Sequence, residues 1–131
     1  MPVVLPVSKA LYLCDHHLGF ANGKVDLYGI FKAIRPPRYP HQKGPFVCFA
    51  QLVGGLGTMR FHIDICRAAD RRLMGWTGVQ SLHFPDRNTL IQVAITFPSC
   101  VFDRPGIYLA ELFCDNTWIT DTTLFLRDAI P

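Results

Sequence analysis

The segment Leu11–His17, with the sequence LYLCDHH, places a thiol, a carboxylate and two imidazoles side by side near the amino terminus. Thiolate, imidazole and carboxylate groups are the ligands that zinc prefers in proteins. A thiol with a neighbouring imidazole is also the arrangement of a cysteine nucleophile and its base. Cys14, His16 and His17 are therefore the candidate residues for a metal site or for a thiol-dependent enzyme.

The geometry of an extended strand argues against a preformed site in this segment. Successive side chains on a strand point to opposite faces, so Cys14 and His16 project to one side while Asp15 and His17 project to the other. Zinc patterns also repeat a ligand pair later in the chain, and no second pair is present. The favoured interpretation is a strand that ends near Cys14, with Asp15 accepting backbone hydrogen bonds in the following turn. Metal binding and thiol chemistry are the alternatives.

The rest of the chain shows apolar alternation and turn signals without a helical pattern. The predicted strands are Lys9–Cys14, Lys24–Ile34 with Gly29 as a bulge, Phe46–Val53, Thr58–Cys66, two short strands within 72–84, Thr89–Phe97, Gly106–Cys114 and Thr117–Arg127. Eight or nine strands at this spacing predict an all-β protein, an antiparallel two-sheet sandwich with no major helix. We expect one domain over residues 1–131, with flexible ends at 1–8 and 128–131.

The last predicted hairpin resembles the final two strands of immunoglobulin-like sandwiches. It contains a Pro-Gly corner, Tyr108 two residues after the glycine, an alternating strand and a tight turn at Asp115-Asn116. The resemblance implies that Tyr108 hydrogen-bonds back across the corner and that the strand after it sends alternate side chains inward.

Two of the predicted strands are apolar on both faces. In Phe46–Val53 the second face carries Phe49, and in Gly106–Cys114 it carries Leu109 and Phe113. The outer face of a two-layer protein normally meets water, so these side chains need cover from a loop, a second subunit or another protein. They are the candidate interface residues.

A proline-rich segment supplies candidate residues for a partner loop. Residues 35–45 contain four prolines, and Arg35, Arg38 and Tyr39 in this segment can contact an acidic or aromatic partner by charge and stacking.

Composition limits the function classes. Half of the residues are apolar, 18% are charged and the formal net charge is +3, so the chain is expected to fold by itself and nucleic-acid binding is not expected. No apolar run is long enough for a membrane helix and the amino terminus lacks the pattern of a signal peptide. The five widely spaced cysteines are typical of buried thiols in a reducing compartment. We expect a cytoplasmic protein without a cofactor.

Three segments together resemble a family of small bacterial proteins of unknown function. They are ALYLCDHHLGFANGKVDLYGIF, FVCFAQLVGG and RPGIYLAELFCDNTWITDTTLFL. The shared features are an initial Cys-Asp, a Gly-Lys turn into a Gly-Ile-Phe strand, and a Pro-Gly-x-Tyr corner before the closing hairpin. The resemblance covers residues 9–127 and implies a bacterial β-sandwich, with no activity or catalytic residue to carry over.

The sequence thus favours a non-enzymatic interaction or assembly module that self-associates through an apolar sheet face. The alternative is a small metal- or thiol-dependent enzyme that uses the Cys14–His17 region.

Overall fold

The computed structural model describes residues 2–130, so Met1 and Pro131, within the two predicted flexible ends, lie outside the described residues. The described chain forms twelve strands and no helix, which confirms the all-β class. The strands are β1 (Val7–Gly19), β2 (Val25–Ile30), β3 (Ala33–Ile34), β4 (His41–Lys43), β5 (Phe46–Val53), β6 (Gly57–Arg67), β7 (Leu73–Trp76), β8 (Gln80–Phe84), β9 (Ile91–Phe97), β10 (Cys100–Phe102), β11 (Gly106–Cys114) and β12 (Thr117–Leu126). Residues 2–130 therefore offer no helix that is long and apolar enough to cross a membrane.

Three very short strands raise the number above the predicted eight or nine. β3 is the separate end of the segment predicted as one strand over 24–34, β4 lies in the segment interpreted as a loop, and β10 follows β9. Strands of two or three residues are too short to show alternation, so the sequence pattern does not reveal them.

The strands form three sheets. A four-stranded sheet has the order β2-β1-β5-β9, and a six-stranded sheet has the order β3-β12-β11-β6-β7, with β8 also paired to β6. β4 and β10 form a two-stranded sheet. All of these pairs are antiparallel except the parallel pair of β3 and β12.

One buried cluster takes side chains from both large sheets. Alternate residues of β5, beginning with Phe46 and Cys48, meet alternate residues of β6 such as Phe61 and Ile63 in this cluster. Burying one large apolar side chain contributes about 1.5–3 kcal/mol, so this cluster is the main source of stability. Alternation along the predicted strand Thr89–Phe97 places Ile91, Val93 and Ile95 on its inward face. This prediction is confirmed, because all three side chains pack against the same cluster.

β1 does not end near Cys14, which corrects the expectation of a turn at Asp15. The strand continues to Gly19, and its second half pairs with β2 in a hairpin. Asp15 lies within the strand, 3.5 Å from Lys43 Nζ. The strand continues because β2 supplies hydrogen-bond partners for residues that β5 does not reach.

The tip of this hairpin lies over the four-stranded sheet, on the side away from the core. Gln92 Nε2 on β9 donates a hydrogen bond of 3.0 Å to the carbonyl of Gly23 in the turn. His17 and Val25 of the hairpin line an open pocket of about 370 Å³ together with Phe49. The hairpin therefore covers a sheet face that would otherwise meet water.

The predicted hydrogen bond at Tyr108 is present. Its hydroxyl donates to the carbonyl of Arg104, four residues upstream, at 2.7 Å, and it lies 3.2 Å from Asp103 Oδ1. The ring is fully buried and packs edge-on against Phe102, with 5.0 Å between the centroids. Ala110, two residues further along β11, is buried as expected.

Candidate functional site

Three carboxylates lie side by side on the outer face of the six-stranded sheet, the face directed away from the core. Glu111 on β11 is directly opposite Asp121 on β12 and Asp64 on β6. Directly opposite residues on antiparallel strands project to the same side, with Cβ atoms about 4.5–5.5 Å apart. We call Asp121, Glu111 and Asp64 the carboxylate row. Like charges at this spacing repel one another, so the row requires compensation from its surroundings.

The central carboxylate of the row is almost fully buried, and one of its oxygens accepts two hydrogen bonds. The Glu111 side chain is 6% exposed and its Oε1 accepts a hydrogen bond of 2.8 Å from Arg71 Nη2. The Cys66 thiol donates to the same oxygen at 3.2 Å. Burial, followed by this hydrogen bond, raises the pKa of Cys66 to about 11. Cys66 is therefore a neutral thiol that stabilises the Glu111 carboxylate, and it is not a thiolate nucleophile.

Arg67 is a buried arginine that stabilises the turn containing Arg71. Arg67, at the end of β6, is 5% exposed and its guanidinium donates to the carboxylates of Asp70 and Asp103 at 2.6–3.0 Å. The guanidinium lowers the pKa of both carboxyls, mainly by hydrogen bonding. The backbone of Arg71 has a φ of 62°, a left-handed conformation that the turn imposes on it. Arg67 thus positions the side chain that compensates Glu111.

His62 and Asp64 are successive outward-facing residues of β6. His62 Nε2 lies 3.7 Å from Asp64 Oδ2, and the imidazole stacks on the Phe113 ring with 4.9 Å between the centroids. Burial is the main cause of a raised pKa at Asp64, and the neighbouring Glu111 adds to it. Alternation along the predicted strand Thr58–Cys66 places His62 outside the core, and the structure confirms this. The stacking nevertheless leaves its side chain only 15% exposed.

Large exposed apolar side chains surround this polar centre. Six of them, which we call the apolar rim, are 37–57% exposed: Leu73, Trp76, Val79, Ile107, Trp118 and Phe125. Trp76 is directly opposite Asp64, and Trp118 is directly opposite Phe113. A groove of about 380 Å³ lies between Trp76, Val79 and the two polar residues of β6. The exposed apolar side chains around a polar centre make this face a candidate interaction site.

The structure separates the three predicted interface residues. Leu109 and Phe113 lie on the outer face of the six-stranded sheet and are half-buried. Phe49 belongs to the four-stranded sheet and is 2% exposed beneath the β1–β2 hairpin. Only the first two are therefore placed to contribute directly to a contact with another molecule.

The predicted partner loop packs against the end of β12. Arg35 and Arg38 are exposed and take part in none of the ion pairs of residues 2–130. Tyr39 is half-buried, and its hydroxyl donates to the carbonyl of Arg127. Tyr39 thus anchors the segment to the end of β12, which leaves the two arginines as its free charges.

The alternative site residues near the amino terminus do not come together. Cys14 is fully buried, whereas His16 and His17 are exposed. Burial, followed by the charge of Asp15, raises the pKa of Cys14, which is the opposite of nucleophile activation. Within residues 2–130 no three His, Cys, Asp or Glu side chains are arranged to hold a metal ion.

Sequence reasoning missed the carboxylate row and the apolar rim. Alternation in β6 does place His62 and Asp64 outward, and that signal was available. Glu111 and Asp121 lie 47 and 57 residues after Asp64 in the sequence, and only the strand register brings them beside it. No local pattern encodes that register.

Residues 9–127 match the sequence profile of a family described as Family of unknown function (DUF6941). The chain belongs to this family. The match covers the range of the resemblance noted in the sequence and extends from β1 to the residue after β12. No curated protein and no solved structure matches the chain. Membership in DUF6941 carries no activity, so the functional argument depends on the outer face itself.

Proposed function

We propose that this chain is a non-enzymatic assembly module that self-associates through the outer face of the six-stranded sheet. The observation that carries the proposal is the apolar rim, six large side chains that are 37–57% exposed around the outer face of one sheet. Large exposed apolar side chains gathered on one face mark interaction sites more often than scattered ones do. Tryptophans at its edges supply the large, rigid side chains that dominate the energy of protein contacts.

The charges of the outer face favour a second copy of the chain as the occupant. An isologous contact brings the same patch of two subunits together, so the patch must complement itself. The face carries Asp121 and Arg60, and neither takes part in an ion pair within residues 2–130. Two copies related by a two-fold axis can place Arg60 of one copy against a carboxylate of the other. A face that carries charges of only one sign does not allow such a pair.

The polar centre supports a binding role over catalysis. Glu111 is committed to Arg71 and Cys66, and the thiol has a raised pKa. A catalytic constellation needs a free nucleophile and a base with a third group that orients it. Here the polar groups compensate one another, as the buried polar groups of a contact surface must.

We also propose a finer description of the fold and its compartment. The two large sheets would be the layers of an immunoglobulin-like sandwich, and the Tyr108 corner and the shared buried cluster support this. The five buried free cysteines of the described chain support a reducing compartment, the bacterial cytoplasm.

Sedimentation velocity of single variants tests the proposed function. Ile107→Glu and Trp118→Glu each place a charge on an exposed position of the apolar rim, where folding of the subunit does not need the original side chain. We expect each variant to weaken self-association by roughly 30-fold or more, the effect of removing an interface residue of high energetic weight. Circular dichroism should show an unchanged β spectrum.

The matched control is Val101→Glu on β10, which replaces an equally exposed apolar side chain outside the outer face. It should sediment like the wild-type chain. A wild-type chain that remains monomeric at the highest concentration reached, or rim variants that associate as the control does, would disprove self-association through this face.

A further inference from the structure

A second contact surface is the free edge of the four-stranded sheet. β9 pairs with β5 through seven consecutive residue pairs without a bulge, and it is the last strand on that side. Its backbone makes no hydrogen bond outside this ladder within residues 2–130. Every second residue of an antiparallel edge strand directs its N–H and C=O groups away from its partner, so β9 offers a row of unpaired groups.

β9 also lacks the devices that normally protect an edge. Its sequence IQVAITF contains no charged residue, no proline and no glycine. Native proteins usually block pairing at an edge with lysine, proline, a bulge or a very short strand. An unprotected edge of seven residues is therefore a surface on which another strand can pair.

The other open strands of this chain do carry such devices. β2 contains Asp26 and a positive-φ glycine, Gly29. β7 has four residues, β8 has five, and the part of β12 beyond the reach of β3 carries Asp121. Among the edge strands of residues 2–130, β9 is thus the one that is longer than five residues and free of charged residues, proline and glycine.

We propose that β9 pairs antiparallel with β9 of a second copy of this chain, around a two-fold axis at Ala94. This register sets Val93 opposite Ile95 of the second copy on the inner side of the sheet. On the outer side it sets Gln92 opposite Thr96 of the second copy. Apolar residues thus meet apolar residues and polar residues meet polar ones, as cross-strand pairs require. A sequence that matches itself in this way fits an isologous contact.

Burial at the edge agrees with this arrangement. Val93 and Ile95 pack against the core cluster yet remain half-buried, because the cluster is open at this side. Pairing of two β9 strands joins two four-stranded sheets into one of eight strands. The inward side chains of each edge then cover those of the other, and the exposed backbone groups gain partners.

This inference goes beyond the proposed function, because it assigns a separate surface on a different sheet. Two isologous contacts on one chain give a closed tetramer or an open linear assembly, according to the angle between their axes. Either contact alone gives a dimer. The two contacts can therefore be broken independently.

The test combines one variant of each contact. Ala94→Lys places two like charges opposite each other at the proposed axis, and the open 370 Å³ pocket beside Ala94 gives the longer side chain room in the subunit. Thr96→Lys, at an exposed position, is the second edge variant and uses the lysine protection found on natural edges. Ile107→Glu breaks the outer-face contact. The wild-type chain, each single variant and two double variants, Ile107→Glu with Ala94→Lys and Ile107→Glu with Thr96→Lys, are compared by sedimentation velocity, and circular dichroism checks folding.

We expect the wild-type chain to sediment as a tetramer or a larger assembly, each single variant as a dimer and both double variants as monomers. Amide hydrogen exchange of β9 should be slow in Ile107→Glu and fast in both double variants. If Ile107→Glu is already monomeric, or if both edge variants leave its dimer intact, the β9 contact is wrong. If Ala94→Lys alone gives a monomer, the β9 contact stands and the outer-face contact is wrong.

Discussion

At the scale of single residues, the hydroxyl of Tyr108 should contribute measurably to stability. Tyr108→Phe removes the 2.7 Å hydrogen bond to the carbonyl of Arg104 and leaves the buried ring in place. We expect the free energy of unfolding to fall by about 1 kcal/mol, the usual net contribution of one hydrogen bond. Urea unfolding at a fixed protein concentration measures it. Tyr12→Phe, which removes an exposed hydroxyl, should change stability by less than about 0.5 kcal/mol. Equal effects of the two variants would contradict the role of the corner.

The carboxyl of Asp64 should make stability depend on pH. Burial raises its pKa in the folded chain above the ordinary value of about 3.9, so the folded state keeps this proton to a higher pH than the unfolded state does. The free energy of unfolding of the wild-type chain therefore falls as the pH rises from the pKa of Asp64 in the unfolded chain through its pKa in the folded chain. Asp64→Asn should be more stable than the wild-type chain near pH 7, and the difference should vanish below pH about 3.9. Thermal unfolding across this pH range measures the sign of the stability difference and the pH range in which it appears. Asp128→Asn, at an exposed position, is the control. A variant that is less stable near pH 7 would contradict it.

The cysteines should be unreactive in the folded chain. All five are buried, and burial raises the pKa of Cys48 to about 12 and those of Cys66, Cys100 and Cys114 to about 11. Because the thiolate is the reactive form, a disulfide reagent should modify the native chain only as it unfolds, whereas the denatured chain should react at once at five sites. One thiol that reacts rapidly in the native chain, above all Cys14, would instead support the thiol-dependent enzyme.

At the scale of elements, the β1–β2 hairpin depends on Gly29. Its φ of 67° is left-handed, and a Cβ at this position would overlap the Asp15 carboxylate on the paired strand. Gly29→Ala should therefore lower the free energy of unfolding by about 1–2 kcal/mol. Hydrogen exchange should also become faster in residues 15–30. Gly44→Ala is the matched control, because its Cβ would meet nothing within 4 Å. If both variants behave alike, the strain at Gly29 has no effect.

Elements of this chain were predictable where the signal was local. Alternation identified the inward residues of β9 and the corner sequence identified Tyr108, because both patterns lie within one strand and its turn. The extension of β1 and the position of its hairpin were not predictable. They depend on contacts such as that between Gln92 and Gly23, which join distant parts of the chain. The carboxylate row was not predictable for the same reason, since it exists only once three strands are in register.

At the scale of the whole molecule, the two large sheets treat their outer faces differently. The four-stranded sheet covers Phe49 with its own hairpin and leaves the β9 edge open. The six-stranded sheet leaves its face open around the carboxylate row and blocks its edges with short strands and a carboxylate. Each sheet thus retains one open surface, an edge in the four-stranded sheet and a face in the six-stranded sheet. The proposed assembly through two contacts requires two separate surfaces of this kind.

Self-association through the two proposed contacts would make the apparent stability of the chain depend on its concentration. The associated folded chain is stabilised by mass action as the concentration rises, because the unfolded chain forms neither contact. A tenfold increase corresponds to about 1.4 kcal/mol per dimer, which is roughly 2 °C in the midpoint of thermal unfolding for a dimer of this size. The midpoint of the wild-type chain should therefore rise with concentration. The double variant Ala94→Lys with Ile107→Glu should unfold at a constant midpoint, because a monomer has no such dependence. A wild-type midpoint that is independent of concentration would contradict both contacts at once, whereas a slope that only Ile107→Glu abolishes would assign the association to the outer face.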